Sequence, residues 1–236
     1  MNVPLIIAFW RQRLVSPLRM FILFFVAIAP LLVVSAMPAA GLNLLGEALP
    51  IGMIFAVGMI GQDVSSGVLQ LVFARPVRRW EYVISRWLGA ALAGAIVVAV
   101  QAAAAWGLLA ARGNALGAAT IFSFAGERVL EMFAIAAVMA LFSSLLAGFG
   151  DLALYVILSV VGGLFALAGQ AKGWGFATRL GEIIHGALTS KIDFDVISSG
   201  GIQAWLVVIT YLSTIAVCLA LTVAVMNRKQ LSYASG

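Results

Sequence analysis

The sequence predicts an all-α membrane protein of six transmembrane helices, with both ends of the chain on the inner side. Composition is the first reason: 64% of the 236 residues are hydrophobic and 10% are charged, whereas a soluble domain is about half apolar and roughly a quarter charged. The second is a mean hydropathy of +1.12. The third is arrangement. The apolar residues form long runs, and at about 20 residues per span plus connections the chain has room for roughly six, with nothing left for a soluble domain.

Residues 1–19 put Leu5, Phe9 and Trp10 on one helical face among Arg11, Arg13 and Arg19, which predicts an amphipathic helix lying in the inner interface. The run from Met20 to Met37 is longer than the apolar region of a secretory signal and leads into Pro38, so it reads as a retained first span over 20–37. Span 2 is expected over 45–62, with Glu47 and Pro50 near its start, and a mixed stretch over 62–83 separates it from span 3 at 84–110. A Gly- and Ala-rich connection then leads to span 4 at 129–148, a tight turn from Gly148 to Asp151 to span 5 at 152–169, and the longest connection, 170–201, to span 6 at 203–226. Within that connection Phe176, Leu180, Ile183 and Ile184 make an apolar stripe that predicts an external interfacial helix over 176–188. No internal repeat appears, and 1–236 reads as one transmembrane unit.

Orientation follows from the basic residues. With both termini, the 62–86 stretch and the 148–151 turn inside, that side carries Arg11, Arg13, Arg19, Arg75, Arg78, Arg79, Arg86, Arg228 and Lys229, nine of the 14 Lys and Arg. Positive charge marks the cytoplasmic side of a membrane. The same charges, scattered in loops beside apolar spans, suit anionic headgroups rather than nucleic acid.

The stretch from Gly61 to Gly89 organises the rest. Val64, Val68, Leu71 and Val72 recur at helical spacing, while Ser65, Ser66 and Gln70 lie off that stripe. Pro76 disfavours helical geometry at Arg75 and removes a donor, so a short amphipathic helix over 64–75 is expected to stop there. Arg78, Arg79, Trp80, Tyr82 and Trp87 follow, the residue types of a membrane interface.

Read as a pattern, Asp63, then Gly67-Val68-Leu69, then Pro76, Arg79, Tyr82 and Arg86 resembles the ABC-2 class of ABC-transporter permeases over about thirty residues. Members often carry Glu and Gly-Thr where this chain has Asp63 and Gly67-Val68, and a small hydroxyl where Arg78 stands. The resemblance implies that this segment is a cytoplasmic coupling helix between spans 2 and 3, docked on an ATPase subunit through Asp63, Gly67, Val68, Leu69, Leu71, Arg75, Pro76 and Arg79. It also implies two ATPase copies, a second permease copy or paralogue, and export of a substrate from a bacterial inner membrane. A short permease of this kind is similar as well to those linked to copper-enzyme maturation.

No phosphate loop of the form G-x-x-x-x-G-K-[ST] occurs in the chain, so ATP and Mg²⁺ are expected on the partner and no catalytic residue or cofactor on this one. Cys218 is the single cysteine and lies in an apolar run, which leaves no disulfide within the chain. His185 and Glu182 are three apart on a helix, but two ligands without a third favour an interfacial helix over a metal. Asp151, Glu131 and Glu47 fall near span ends, where capping suits them better than transport. Gln101 lies deep in span 3, facing either a partner helix or a translocation path, and Ser143 and Ser144 in span 4 are further candidates for that path. Small residues at spacings of four, Gly89 with Ala93 and Ala90 with Gly94, predict close helix packing and an oligomer seam. The rival to an ATP-driven exporter is a secondary transporter using an ion gradient. Such proteins show paired halves, broken helices and ionisable residues at the midplane.

Overall fold

The computed structural model describes residues 3–14, 17–37, 48–74, 77–113 and 118–229, and among them every regular element is a helix. Five helices are long and apolar enough to cross a membrane: α2 (Pro17–Ala36), α6 (Arg79–Ala111), α7 (Ala118–Leu145), α8 (Gly150–Lys172) and α11 (Gly201–Arg228). The chain is thus built as a multi-pass membrane protein.

Helix α7 is the axis of the bundle. Met132 and the unbroken run Ala134, Ile135, Ala136, Ala137, Val138, Met139 and Ala140 are all buried, so this stretch of the helix is covered on every side, as its lack of a polar face requires. Small side chains let its neighbours come close: a methyl added at Gly94 of α6 would sit 2.9 Å from the Met132 sulfur. The partners of α7 are α6, α8, α11 and the short α3 (Ala48–Ala56). The small residues of span 3 therefore pack within one chain. Ala90 and Ala93 are buried in its core, and no seam between copies is needed to account for them.

The expected second span does not run through. Helix α3 stops at Ala56, and α4 (Gly61–Ser65) restarts beyond a turn in which Gly58 is left-handed at φ +65°. A broken helix frees backbone donors, which must be satisfied where water is scarce. Here the Gly58 N–H donates to Asp151 Oδ2 (2.6 Å), and the Ile60 and Gly61 N–H groups donate to Ser143 Oγ (3.0 and 2.9 Å). The Gly148 N–H closes the arrangement on the Gly61 carbonyl at 3.0 Å. Gly61 has to be glycine, since a Cβ there would lie 2.7 Å from the Leu146 carbonyl. Glu47, Pro38 and the connection around them fall outside the described residues.

Helix α1 (Val3–Leu14) keeps the expected amphipathic form but is fastened to the bundle. Ile6 and Phe9 are buried, and a Cβ at Gly89 would meet Phe9 Cβ and the Trp10 nitrogen, each at 3.2 Å. The expected helix over 176–188 forms as α9 (Gly175–Leu188), yet it does not lie across the ends of the spans. It turns back antiparallel along α8, with Thr178 against Gly169, Gly181 against Gly162 and Ala166, and Ile184 against Gly162. Its stripe is divided as a result: Ile184 packs on the core while Phe176 and Ile183 stay exposed.

Helix α7 begins eleven residues before the expected start of span 4. Its charges delayed the expectation, and they are all used. Glu127 Oε1 accepts the Phe194 N–H at 2.7 Å, and Glu131, buried, pairs with Arg128 at 2.9 Å and Lys191 at 3.5 Å. A short helix, α10 (Phe194–Ser199), was not expected although it carries a standard start signal. Asp193 caps it, accepting from the Asp195 and Val196 N–H groups.

Two ends of the bundle are thereby defined. At one, α1, the 61–86 segment, the 148–151 turn and the end of α11 meet. At the other, Arg112 donates to the Ser35 carbonyl, and the 189–197 segment joins α7.

Candidate coupling face and the buried pair beneath it

The first of these ends carries the segment that the sequence singled out. Its helix is in two pieces, α4 and α5 (Val68–Phe73), divided at Gly67 with φ +74°. A residue with a side chain is disfavoured in that conformation, which gives Gly67 its role: it re-aims α5 relative to α4. The expected single helix over 64–75 is therefore interrupted near its start, and Arg75 and Pro76 lie outside the described residues.

Helix α5 turns Leu69, Val72 and Phe73 toward the core and leaves Val68 and Leu71 outside. Leu69 is 2% exposed and belongs to the core, while Leu71 is 72% and Val68 38% exposed. Of the three apolar residues expected to face a partner, Leu69 anchors the helix to its own chain, and only Val68 and Leu71 are presented. Phe73 closes the far end against the Tyr82 ring (5.6 Å) and beneath the Arg79 guanidinium (5.8 Å).

Beneath this face lies a buried network. Asp63, expected as a docking residue, is 6% exposed, and its Oδ2 accepts from the Arg86 guanidinium and from the Tyr82 hydroxyl, the latter at 2.6 Å. Arg86 is 3% exposed, donates to Gln12 Oε1 at 3.1 Å and stacks on the Phe9 ring at 3.7 Å from its centroid. Two helices far apart in sequence and the N-terminal helix are thus joined by one guanidinium. Its planar fork suits a carboxylate, an amide and an aromatic face together, where a lysine would satisfy one. The Arg86 Nε is left without a partner.

Arg79, the other basic residue of the pattern, donates to the Met226 and Lys229 carbonyls and so closes the C-terminal end of α11. Burial lowers the pKa of the neighbouring Lys229 ammonium from its ordinary value. Arg78 has no hydroxyl with which to cap α6, and the start is secured from the other direction: Glu81 Oε2 accepts the Arg78 N–H at 3.2 Å. Together with Phe73, Val77, Trp80 and Asn227, these two arginines line a groove of about 510 Å³.

The residues proposed for a translocation path sit elsewhere and are bonded within the chain. Gln101, 2% exposed, donates from Nε2 to the Ala27 carbonyl at 2.9 Å and the Val26 carbonyl at 3.4 Å. Those carbonyls lie one turn before Pro30 inside α2. A proline offers no N–H to the carbonyl four residues earlier, and Gln101 supplies the missing donor. Of the two roles left open for Gln101, helix pairing is the one seen. Ser143 holds the 58–61 turn, and Ser144 Oγ donates to the Leu141 carbonyl at 2.7 Å.

Sequence reasoning missed Ser143 and Asp151 as the supports of a helix break. The available signal was Gly58 within an apolar run, read there as part of an unbroken span. No protein-family model matches the chain, and no curated protein matches it. No cluster of three metal-ligating side chains occurs among the described residues.

Proposed function

We propose that the chain is the permease subunit of an ATP-driven exporter of the ABC-2 kind, with six spans, both termini in the cytoplasm, and a bacterial inner membrane as its site. In this reading α3 and α4 together serve as span 2. A separate ATPase, in two copies, binds ATP and Mg²⁺, and a second permease copy or paralogue completes the assembly. The observation that carries the reading is the exposed apolar pair Val68 and Leu71, on a short helix aimed by Gly67 and anchored by Leu69. Such a pair beside Arg78 and Arg79, at the end richest in basic residues, supports a docked cytoplasmic partner. The buried Asp63–Arg86 pair beneath it would pass a push on α4 and α5 directly into α6.

One observation favours the second reading, a secondary transporter: the break at 57–60 beside buried Asp151. In those proteins the break lies at the midplane. Here Ser143, which holds it, stands two residues from the end of α7, so the break belongs to the end of the bundle, where a coupling segment needs to turn.

Co-purification tests the proposal. The tagged chain, solubilised gently from its native membrane, is expected to bring an ATPase with a phosphate-loop motif, and Leu71→Asp is expected to release it. Retention of transport in membranes depleted of ATP but holding an ion gradient would transfer the proposal to the second reading.

A further inference from the structure

Beside the buried pair is a cavity of about 670 Å³, walled by α1, α2, α3, α4 and the start of α8. Its lining is mixed: Ile22, Met53, Ile54, Val57, Phe149 and Leu152 are apolar, and Gln12, Arg19, Gln62 and Asp63 are polar.

The polar residues have an unbalanced charge. Asp63, the one carboxylate among the described lining residues, is already taken by Arg86 and Tyr82. Arg19 has no hydrogen-bond or ion-pair partner among the described residues, and the charge it feels most is the like charge of Arg86. Two guanidiniums thus face one carboxylate, leaving one positive charge unmet. Donors are also in surplus. Gln12 spends its oxygen on Arg86, which leaves its amide hydrogens for the cavity, and the Gln62 amide has no partner of its own among the described residues.

A half-buried arginine in the first turn of a membrane helix ordinarily reaches water or pairs with an acid. Arg19 instead lines a pocket in which six of the ten lining residues are apolar. We propose that this cavity binds an anionic amphiphile, its phosphate on Arg19 with the Gln12 and Gln62 amides, and its apolar tail along Ile22, Ile54 and Leu152. A planar guanidinium with five donors matches a phosphate oxygen pair. The level of Arg19, at the head of α2, is that of a lipid headgroup. Basic pockets between membrane helices hold such headgroups. The proposal rests on the cavity and its unmet charge alone, so its failure leaves the ATPase-coupled reading untouched.

The test uses the purified full-length chain in neutral detergent, with bound lipid counted by native mass spectrometry. Phosphatidylglycerol and phosphatidylcholine are offered at equal concentration, with and without inorganic phosphate. Wild type is expected to retain the anionic lipid about tenfold over the zwitterionic one, and Arg19→Gln to reduce that preference to roughly twofold or less, as expected for loss of a charge-assisted contact. Arg11→Gln, an equal charge change at an exposed position outside this cavity, is expected to keep the preference. Ile22→Trp, at a side chain already exposed, is expected to lower retention by filling the cavity. An unchanged preference in Arg19→Gln, or an equal loss in Arg11→Gln, would overturn the site. Displacement of the lipid by inorganic phosphate at matching concentration would overturn the amphiphile and leave a site for the free anion.

Discussion

Removing Arg86 while keeping Asp63 is the perturbation that bears most directly on how this end of the bundle is held. In the wild type the guanidinium meets a carboxylate, an amide oxygen and an aromatic ring, and it is 3% exposed. Arg86→Met keeps an unbranched apolar stem but loses the guanidinium stacked on Phe9, and leaves the carboxylate of Asp63, 6% exposed, with only the Tyr82 hydroxyl. Breaking a buried pair from one side costs about 3–5 kcal/mol, because the remaining charge is uncompensated. For a chain of this size each kcal/mol moves Tm by about 2–4 °C, so a fall of roughly 6–20 °C is expected. The double variant Asp63→Asn with Arg86→Met removes both charges and should recover most of the loss, since replacing a buried pair entirely is often near neutral. Thermal unfolding of the four proteins in one detergent, followed by size exclusion and tryptophan fluorescence, completes the cycle. If the two single variants melt with the wild type, or if the double variant loses the sum of both, the pair does not hold the 61–86 segment and the transmission argued for it fails.

Leu71→Asp should insert and melt like wild type yet lose the proposed ATPase partner, whereas Leu69→Asp should destabilise the isolated chain by several kcal/mol, because it places a charge in the core; measuring Tm and co-purification on both separates the exposed face from the buried one. Gln101→Leu should cost about 1–3 kcal/mol by leaving the Val26 carbonyl, four residues before Pro30, without a donor, and Pro30→Ala in the same chain should return part of it by restoring an N–H to that carbonyl, read as paired Tm values. Gly181→Leu should detach α9 from α8, because the new side chain would begin 2.6 Å from the Ala166 nitrogen and the Gly162 carbonyl, and backbone atoms cannot step aside; protease cleavage within 173–193 that is absent in wild type reports it.

The apolar runs made the long helices legible, and their ends were misjudged wherever a charged residue was satisfied by something distant. The sequence opens span 4 after Arg128 because Glu127, Arg128 and Glu131 look like loop residues when met one after another. They are helical because Phe194, Lys191 and their own i,i+3 pairing answer them, and those partners lie more than 55 residues on. The same holds in reverse for span 2. An unbroken apolar run conceals a break when the donors it frees are met by Ser143 and Asp151 from across the bundle. Local pattern carries the period of a helix. It does not carry the acceptor that lets a helix stop.

At the candidate site the difference is one of direction. The residues of the pattern Asp63, Gly67-Val68-Leu69, Arg79, Tyr82, Arg86 gather at one end of the bundle, and each described member of it has a definite place there. The resemblance implies docking through Asp63, Leu69 and Arg79, whereas Asp63 and Leu69 are buried, Tyr82 and Arg86 are bonded to Asp63, and Arg79 closes α11. An acid and a base 23 positions apart cannot be paired from sequence spacing when a glycine turn and two short helices intervene. Yet the inward turn of these residues fits a coupling element better than a wholly exposed one would. A push on Leu71 and Val68 can move the spans only if the short helix beneath is tied to them. Gly67 allows the helix to be aimed, Leu69 seats it, and Asp63 joins its neighbour to α6 through Arg86. The surface that the proposed docking would use is Val68 and Leu71, and the buried remainder of the segment would be its attachment.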